Sequence, residues 1–263
     1  MRKVVLLATA VIAVLAFART VPAQTGDAQF DGNLHPNAGA LLAKRADTSL
    51  FIACSGTLVA KRVFLTAAHC AEFLFSLGQR DAFVTFDPNF GLDPGHDIFS
   101  TPFHGTVIEN PGFKPPFHND TAIVFLDAPV AGITPATLAP LGLLDGLKDA
   151  HVLDNATFTN VGYGSAEQMV VPGTGPVFGF DGIRKFTVAA FSALTQDYLH
   201  LNQNLAQGFA GPCLGDSGGP SFLGNVLVAI SSAGDKPCYA LGVNQRVDVR
   251  STLDFLAPYL RVT

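Results

Sequence analysis

Charge is scarce in this chain and biased to one sign. Only 14% of its 263 residues are charged, with 16 Lys and Arg against 21 Asp and Glu. An acidic surface repels a polyanion, so nucleic acid is not expected as a partner. Cysteine is limited to Cys54, Cys70, Cys213 and Cys238, and no two of them form a Cys-x-x-Cys pair. That argues against a structural zinc site, and no metal is expected. Tryptophan is absent altogether. Past the N-terminus no apolar run is long enough to span a bilayer. No internal repeat and no long linker divides the chain into independent modules.

The N-terminus reads as a leader. Arg2 and Lys3 precede an uncharged apolar run over 4–17, and Val21-Pro22-Ala23 offers small residues where a signal peptidase reads. Residues 1–23 are expected to be a secretory signal cut before Gln24, leaving an extracellular or periplasmic protein with no stable membrane association. Removal of Arg2, Lys3 and Arg19 leaves 13 basic against 21 acidic side chains, a net charge of −8. In an exported protein four cysteines read as two disulfides, and the sequence alone leaves 3 pairings open.

What remains favours β-structure. The chain has 22 Phe, 26 Gly and 17 Pro, the last two spread along its length and not in tracts. Short runs of β-forming residues bounded by Gly, Pro, Asn or Asp recur at 49–53, 56–59, 63–67, 82–86, 104–108 and 121–126. A second series follows at 157–163, 184–190, 198–201, 219–223, 226–232 and 240–247. Between them, 127–147 contains Pro129, Pro135 and Pro140 and reads as a crossing between two halves. The tail, 249–260, carries apolar residues at helical spacing. These runs predict an all-β protein of two small β-barrels, roughly 34–128 and 145–248. A short C-terminal α-helix closes it, and an irregular arm or propeptide over 24–33 precedes it.

Three short segments carry chemistry. The first is Gly215-Asp216-Ser217-Gly218-Gly219-Pro220. A nucleophilic serine needs an exposed Oγ and two backbone N–H groups aimed at the developing oxyanion, and glycine lets the backbone come close. The second is Thr66-Ala67-Ala68-His69-Cys70, which follows a strand-like run. An imidazole suits the base that takes the serine proton. The third is His118-Asn119-Asp120, which places Asp120 at the start of an apolar strand, where a carboxylate needs a hydrogen-bond partner. The chain order His69, Asp120, Ser217 differs from the orders found in subtilisins and α/β-hydrolases.

Those segments, with Cys54-Ser55-Gly56-Thr57-Leu58-Val59 ahead of the histidine, resemble the chymotrypsin/trypsin family from about Phe30 to Leu260, and its exported bacterial members most of all. The resemblance implies two perpendicular six-stranded antiparallel barrels with His69, Asp120 and Ser217 as the catalytic triad in the cleft between them. It implies disulfides Cys54–Cys70 and Cys213–Cys238. It assigns Gly215 and Ser217 to the oxyanion hole, Ser232 to support of the triad aspartate, and 226–234 to an edge strand for extended substrate. Gly211, Gly234 and Gly242 fall where that family lines its specificity pocket. The implied activity is serine endopeptidase action on polypeptides by a monomer that needs no cofactor.

The match departs from the family in three places. Gly211 stands where trypsins carry the acidic residue at the pocket base, so a neutral side chain is expected before the scissile bond. Ala233 stands where the family usually has tryptophan, which makes one substrate subsite shallower. No basic residue precedes Phe30-Asp31-Gly32, so activation is expected by a non-tryptic cut near Phe30 or by none. Asp87, Asn89 and Asp93 lie near a calcium loop of some relatives, but their spacing is not that of an EF-hand and they read as a solvated loop. His96 and His104 read as scattered loop histidines. Two alternatives use the same residues: an inactive binding protein on a protease fold, and an esterase.

Overall fold

A computed structural model describes residues 28–90, 101–171, 175–236 and 238–261. The expected leader, its cut before Gln24, Asp93 and His96 lie outside the described residues. Described structure starts with β1 (Gln29–Phe30), followed by β2 (Ala38–Lys44), β3 (Leu50–Ala60), β4 (Val63–Thr66), α1 (Ala68–Ser76), β5 (Asp81–Thr85), β6 (Phe103–Glu109) and β7 (Ala122–Leu126). The strands β2-β3-β4-β7-β6-β5 close into an antiparallel barrel, with β2 paired to both β3 and β5.

The second half supplies β8 (Thr137–Leu138), α2 (Leu143–Asp149), β9 (Thr157–Gly162), β10 (Ala166–Val171), β11 (Gly175–Gly179), β12 (Lys185–Leu194), β13 (Tyr198–Asn202), β14 (Pro220–Leu223), β15 (Val226–Gly234), β16 (Leu241–Arg246) and α3 (Arg250–Leu260). Here β12-β13-β16-β15-β14-β9 form a sheet that β9 closes by pairing with β12. The fold is therefore the expected one: all-β, two closed six-stranded antiparallel barrels and a short C-terminal helix.

Local chemistry explains where the elements depart from the sequence pattern. β2 reads Ala-Gly-Ala-Leu-Leu-Ala-Lys, with no β-branched residue to announce a strand, and it forms because both neighbours pair with it. The runs 49–53 and 56–59 are one strand, β3, that continues through Cys54 and Ser55. Gly56 sits inside it because a Cβ there would stand 2.4 Å from the Phe64 ring, which crosses over the glycine. α1 buries Ala68, Ala71 and Leu74, spaced for one helix face. α3 buries Thr252 and Leu256, and the Phe125 ring meets that of Tyr259 at a tilt, with centroids 6.1 Å apart. Fully buried side chains such as Leu58, Leu65 and Leu74 contribute roughly 1.5–3 kcal/mol each.

The seam between the barrels is partly polar. Ala40 and Leu42 of the first barrel pack on Tyr163 of the second. Arg184, fully buried, donates through Nε to Asp31 at 2.8 Å, through Nη1 to the carbonyls of Ala38 and Phe86, and through Nη2 to that of Gly32. Burial works against ionising Asp31, but bonds from His35 and Arg184 outweigh it and hold its carboxyl below the ordinary range. Gln29 and Phe30, expected in an irregular arm, instead pair with Phe186 and Lys185 of β12, and Ala28 before them is buried.

Candidate active site

The segment after Cys213 is a tight loop held by its own backbone. Asp216 N–H donates to the Cys213 carbonyl at 3.0 Å, Gly219 N–H to that of Asp216 at 2.8 Å, and Gly218 N–H to that of Ser231 at 2.7 Å. Gly215 and Gly218 have φ of 92° and 78°, which a residue with a Cβ adopts only with strain. A Cβ at Gly218 would also lie 2.2 Å from Thr66 Oγ1, so the loop is pressed against the residues that lead into α1. Ser55 N–H donates to the Ser217 carbonyl at 2.9 Å, and Ser55 Oγ to the Gly215 carbonyl at 3.0 Å. Among the described residues the N–H groups of Gly215 and Ser217 have no acceptor. Two free donors two residues apart, one of them the serine's own N–H, are the groups an oxyanion site calls for.

His69 lies in the first turn of α1, tied to β3 by the Cys54–Cys70 disulfide. Asp120, fully buried, stands immediately before Thr121 and β7, and Asn119 turns the chain into it at φ 52°. One carboxylate oxygen accepts the His69 backbone N–H at 2.9 Å. The other faces His69 Nδ1 at 2.8 Å and accepts the Ser232 hydroxyl at 2.5 Å. Asp120 N–H donates to Gln245 Oε1 at 3.1 Å. The first barrel thus provides the histidine and the aspartate, while β15 and β16 of the second provide Ser232 and Gln245. With its proton on Nδ1 and directed at Asp120, the imidazole has Nε2 available as a base. The His69 side chain keeps 24% of its surface exposed, and the Phe117 ring meets it edge-on with centroids 5.5 Å apart.

The trypsin family profile matches residues 25–253. The chain belongs to the trypsin family. Among solved structures, an HL collagenase is similar over 91% of this chain and 99% of its own, with a TM-score of 0.67 and 19% identity. At that identity the likeness concerns the fold. No curated protein gives a significant match.

Both disulfides expected of the family are formed, Cys54–Cys70 and Cys213–Cys238. Asp216, beside the candidate nucleophile, accepts from the N–H groups of Gly164 and Cys213, each at 2.8 Å. Gly162 and Gly164 make the room: a Cβ on either would lie within 2.3 Å of an Asp216 carboxylate oxygen. The Gly-x-Gly that begins at the last residue of β9 is the sequence signal for this cradle, and it is absent from the sequence-based expectations. Gln245, which has no local signature, is absent from them too.

Phe117 is set by a loop knitted from within. Asn110 Nδ2 donates to Thr121 Oγ1, Asn110 Oδ1 accepts from Gly112 N–H, and Asn119 Nδ2 donates to the Gly112 carbonyl. Tyr198 OH donates to the Phe117 carbonyl at 3.0 Å. Burial first, then the charges of Asp197 and Asp120, push the Tyr198 phenol up, so it remains a neutral donor. Burial likewise raises the Glu109 carboxyl, aided by Glu72 and Asp120.

Gly211 and Gly242 are buried and both lie against the Gln203 side chain, and Gly234 is exposed and paired with Gly242 across β15 and β16. Ala233 is half-buried beside it. Cys54, His69 and Cys70 crowd together, but both sulfurs are in the disulfide and cannot serve as thiolate ligands. Asp87 corrects the expectation of a solvated loop: it is buried, its Oδ1 accepts from Asn89 N–H, and its carbonyl accepts from Tyr163 OH. His104 is not a loop histidine: it lies in β6, with its ring nitrogens on Asp127 and Asp81.

Proposed function

We propose that this trypsin-family chain is an exported serine endopeptidase of the bacterial kind, with Ser217 as nucleophile, His69 as general base and acid, and Asp120 as the group that orients His69. One observation carries the reading: His69 Nδ1 and the Ser232 hydroxyl converge on one oxygen of buried Asp120. The nucleophile loop presses on the same turn with the Gly215 and Ser217 N–H groups unengaged. Ser217 Oγ attacks a peptide carbonyl as its proton passes to His69 Nε2. The two N–H groups stabilise the oxyanion. The C–N bond then breaks as His69 returns the proton to the leaving amine. Water, deprotonated by His69, attacks the acyl-enzyme and releases Ser217. Each step needs only these side chains and water.

Residues 1–23 serve as the export signal, 24–33 as the arm, and 34–263 as the catalytic domain, which acts as a monomer on polypeptides. Two disulfides fit an oxidising compartment. With Gly211 in place of an acid, the pocket takes a neutral side chain.

A fluorophosphonate probe tests the assignment. Wild type should be labelled and should hydrolyse casein. Ser217→Ala and His69→Ala should not label, and should lose turnover by about 10^6-fold. Equal labelling of wild type and His69→Ala, or none of folded wild type, rejects it.

A further inference from the structure

Gln203 follows β13, where its N–H donates to the Ala240 carbonyl at 3.1 Å. Its side chain is fully buried. Neither Oε1 nor Nε2 has a hydrogen-bond partner among the described residues. Two unpaired amide atoms in a protein interior each cost about 1–3 kcal/mol, so they stand out.

The position of this side chain gives it a role. A Cβ on Gly211 would lie 2.0 Å from Gln203 Oε1 and 2.8 Å from its Cδ, and a Cβ on Gly242 would lie 3.0 Å from the same oxygen. Gln203 therefore occupies the space that both glycines vacate by having no side chain. In the peptidase reading those glycines line the pocket for the side chain preceding the scissile bond. Two positions without side chains would leave that pocket deep, but the glutamine amide takes up the space beside both.

We propose that Gln203 is a specificity-determining residue that forms the floor of the primary pocket and restricts cleavage to peptide bonds after short uncharged side chains, such as Ala, Ser, Thr and Val. This rests on the endopeptidase reading above. A Phe or Leu side chain reaching the space beside Gly211 and Gly242 must displace a fully buried amide. A Lys or Arg finds no carboxylate at the base and would bury an unpaired charge. A short side chain needs none of the occupied volume. Because the restriction is one of volume, an unbranched apolar residue of similar length retains it, and a small residue releases it.

The experiment compares wild type with Gln203→Ala, Gln203→Ser and Gln203→Met on peptides varied at the residue before the cut, each enzyme titrated first with the fluorophosphonate probe. Wild type and Gln203→Met should favour Ala over Phe and Leu by about 10-fold or more in kcat/KM. Gln203→Ala or Gln203→Ser, whichever labels, should shift that ratio toward Phe or Leu by about 10-fold or more. Wild type that labels but cleaves after Phe or Leu as well as after Ala overturns the proposal, as does a small variant that labels with an unchanged profile. Either result leaves the peptidase reading intact. Failure of folded wild type to label removes both.

Discussion

Ser55 N–H donates to the carbonyl oxygen of Ser217 across the seam between the barrels, at 2.9 Å. The same serine's Oγ donates to the Gly215 carbonyl and accepts from Tyr163 N–H at 2.9 Å. One buried residue of β3 therefore braces the carbonyls of the two residues whose N–H groups would bind an oxyanion. Ser55→Ala should orphan the Gly215 carbonyl and Tyr163 N–H while leaving the backbone bond to Ser217. The expected outcome is a loss of about 10-fold or more in kcat/KM with the fold retained, at a cost of about 1–3 kcal/mol for each orphaned group. Steady-state kinetics beside thermal melting separate the two effects.

Asp120 should matter far more than its supporter. In Asp120→Asn the amide can present a donor to His69 Nδ1, which favours the wrong tautomer, and kcat should fall about 10^4-fold. Ser232→Ala leaves both His69 contacts to Asp120 in place, so its loss should be about 10-fold, on the scale of one hydrogen bond to a charged group. Comparable losses in the two variants would mean that Ser232 does more than support Asp120.

The Asp31–Arg184 pair should show in the acid limb of stability. Asp31 has its carboxyl depressed in the folded protein, so its contribution is complete above the unfolded Asp value of about 3.9 and is lost as pH falls through the folded value. Asp31→Asn leaves Arg184 buried without its anion and should cost about 3–5 kcal/mol near neutrality. The difference in melting temperature between wild type and variant should narrow below about pH 4. A gap independent of pH would assign the loss to packing and not to charge.

Loss of the Cys213–Cys238 disulfide should affect activity before fold. The bond closes a 25-residue separation, worth about 3 kcal/mol in the chain-entropy description. Cys213 also accepts from the Asp216 N–H through its carbonyl and donates its own N–H to the Asp216 carboxylate. The double change to serine should lower probe labelling at temperatures where circular dichroism still reports the native fold. Parallel loss of labelling and fold would show that the loop is not independently mobile.

N-terminal sequencing of active enzyme distinguishes the routes to maturity. β1 is paired to β12 and Ala28 is buried, so a cut near Phe30 requires local unfolding. The expected result is an N-terminus upstream of Ala28, or a blocked one if Gln24 cyclises. A homogeneous start at or after Phe30 would restore activation by a second cut.

Much of this molecule is legible in short stretches of sequence. The Gly-Asp-Ser-Gly-Gly-Pro and Thr-Ala-Ala-His-Cys segments announce their chemistry because the backbone around each must take one shape. Gly218 shows the reason, since neither its φ nor its contact with Thr66 tolerates a side chain. Most barrel strands are legible too, because short runs of β-forming residues bounded by Gly, Pro, Asn or Asp mark them within a few residues. β2 and α1 are not, since their residues have weak or ambiguous preferences and neighbours decide their form.

The sequence by itself determined two halves of β-structure, a closing helix and the residue types able to perform acyl transfer, all of which depend on interactions within a few residues. Asp120 as the partner of His69 and Ser232 as its support were implied by family resemblance and not by residue preference. Only the tertiary structure decided that Gln245 reaches Asp120 from the other barrel and that the Gln203 side chain fills the space beside Gly211 and Gly242. Those relations join residues far apart in the chain, and burial and hydrogen bonding bring them together only after both barrels have closed.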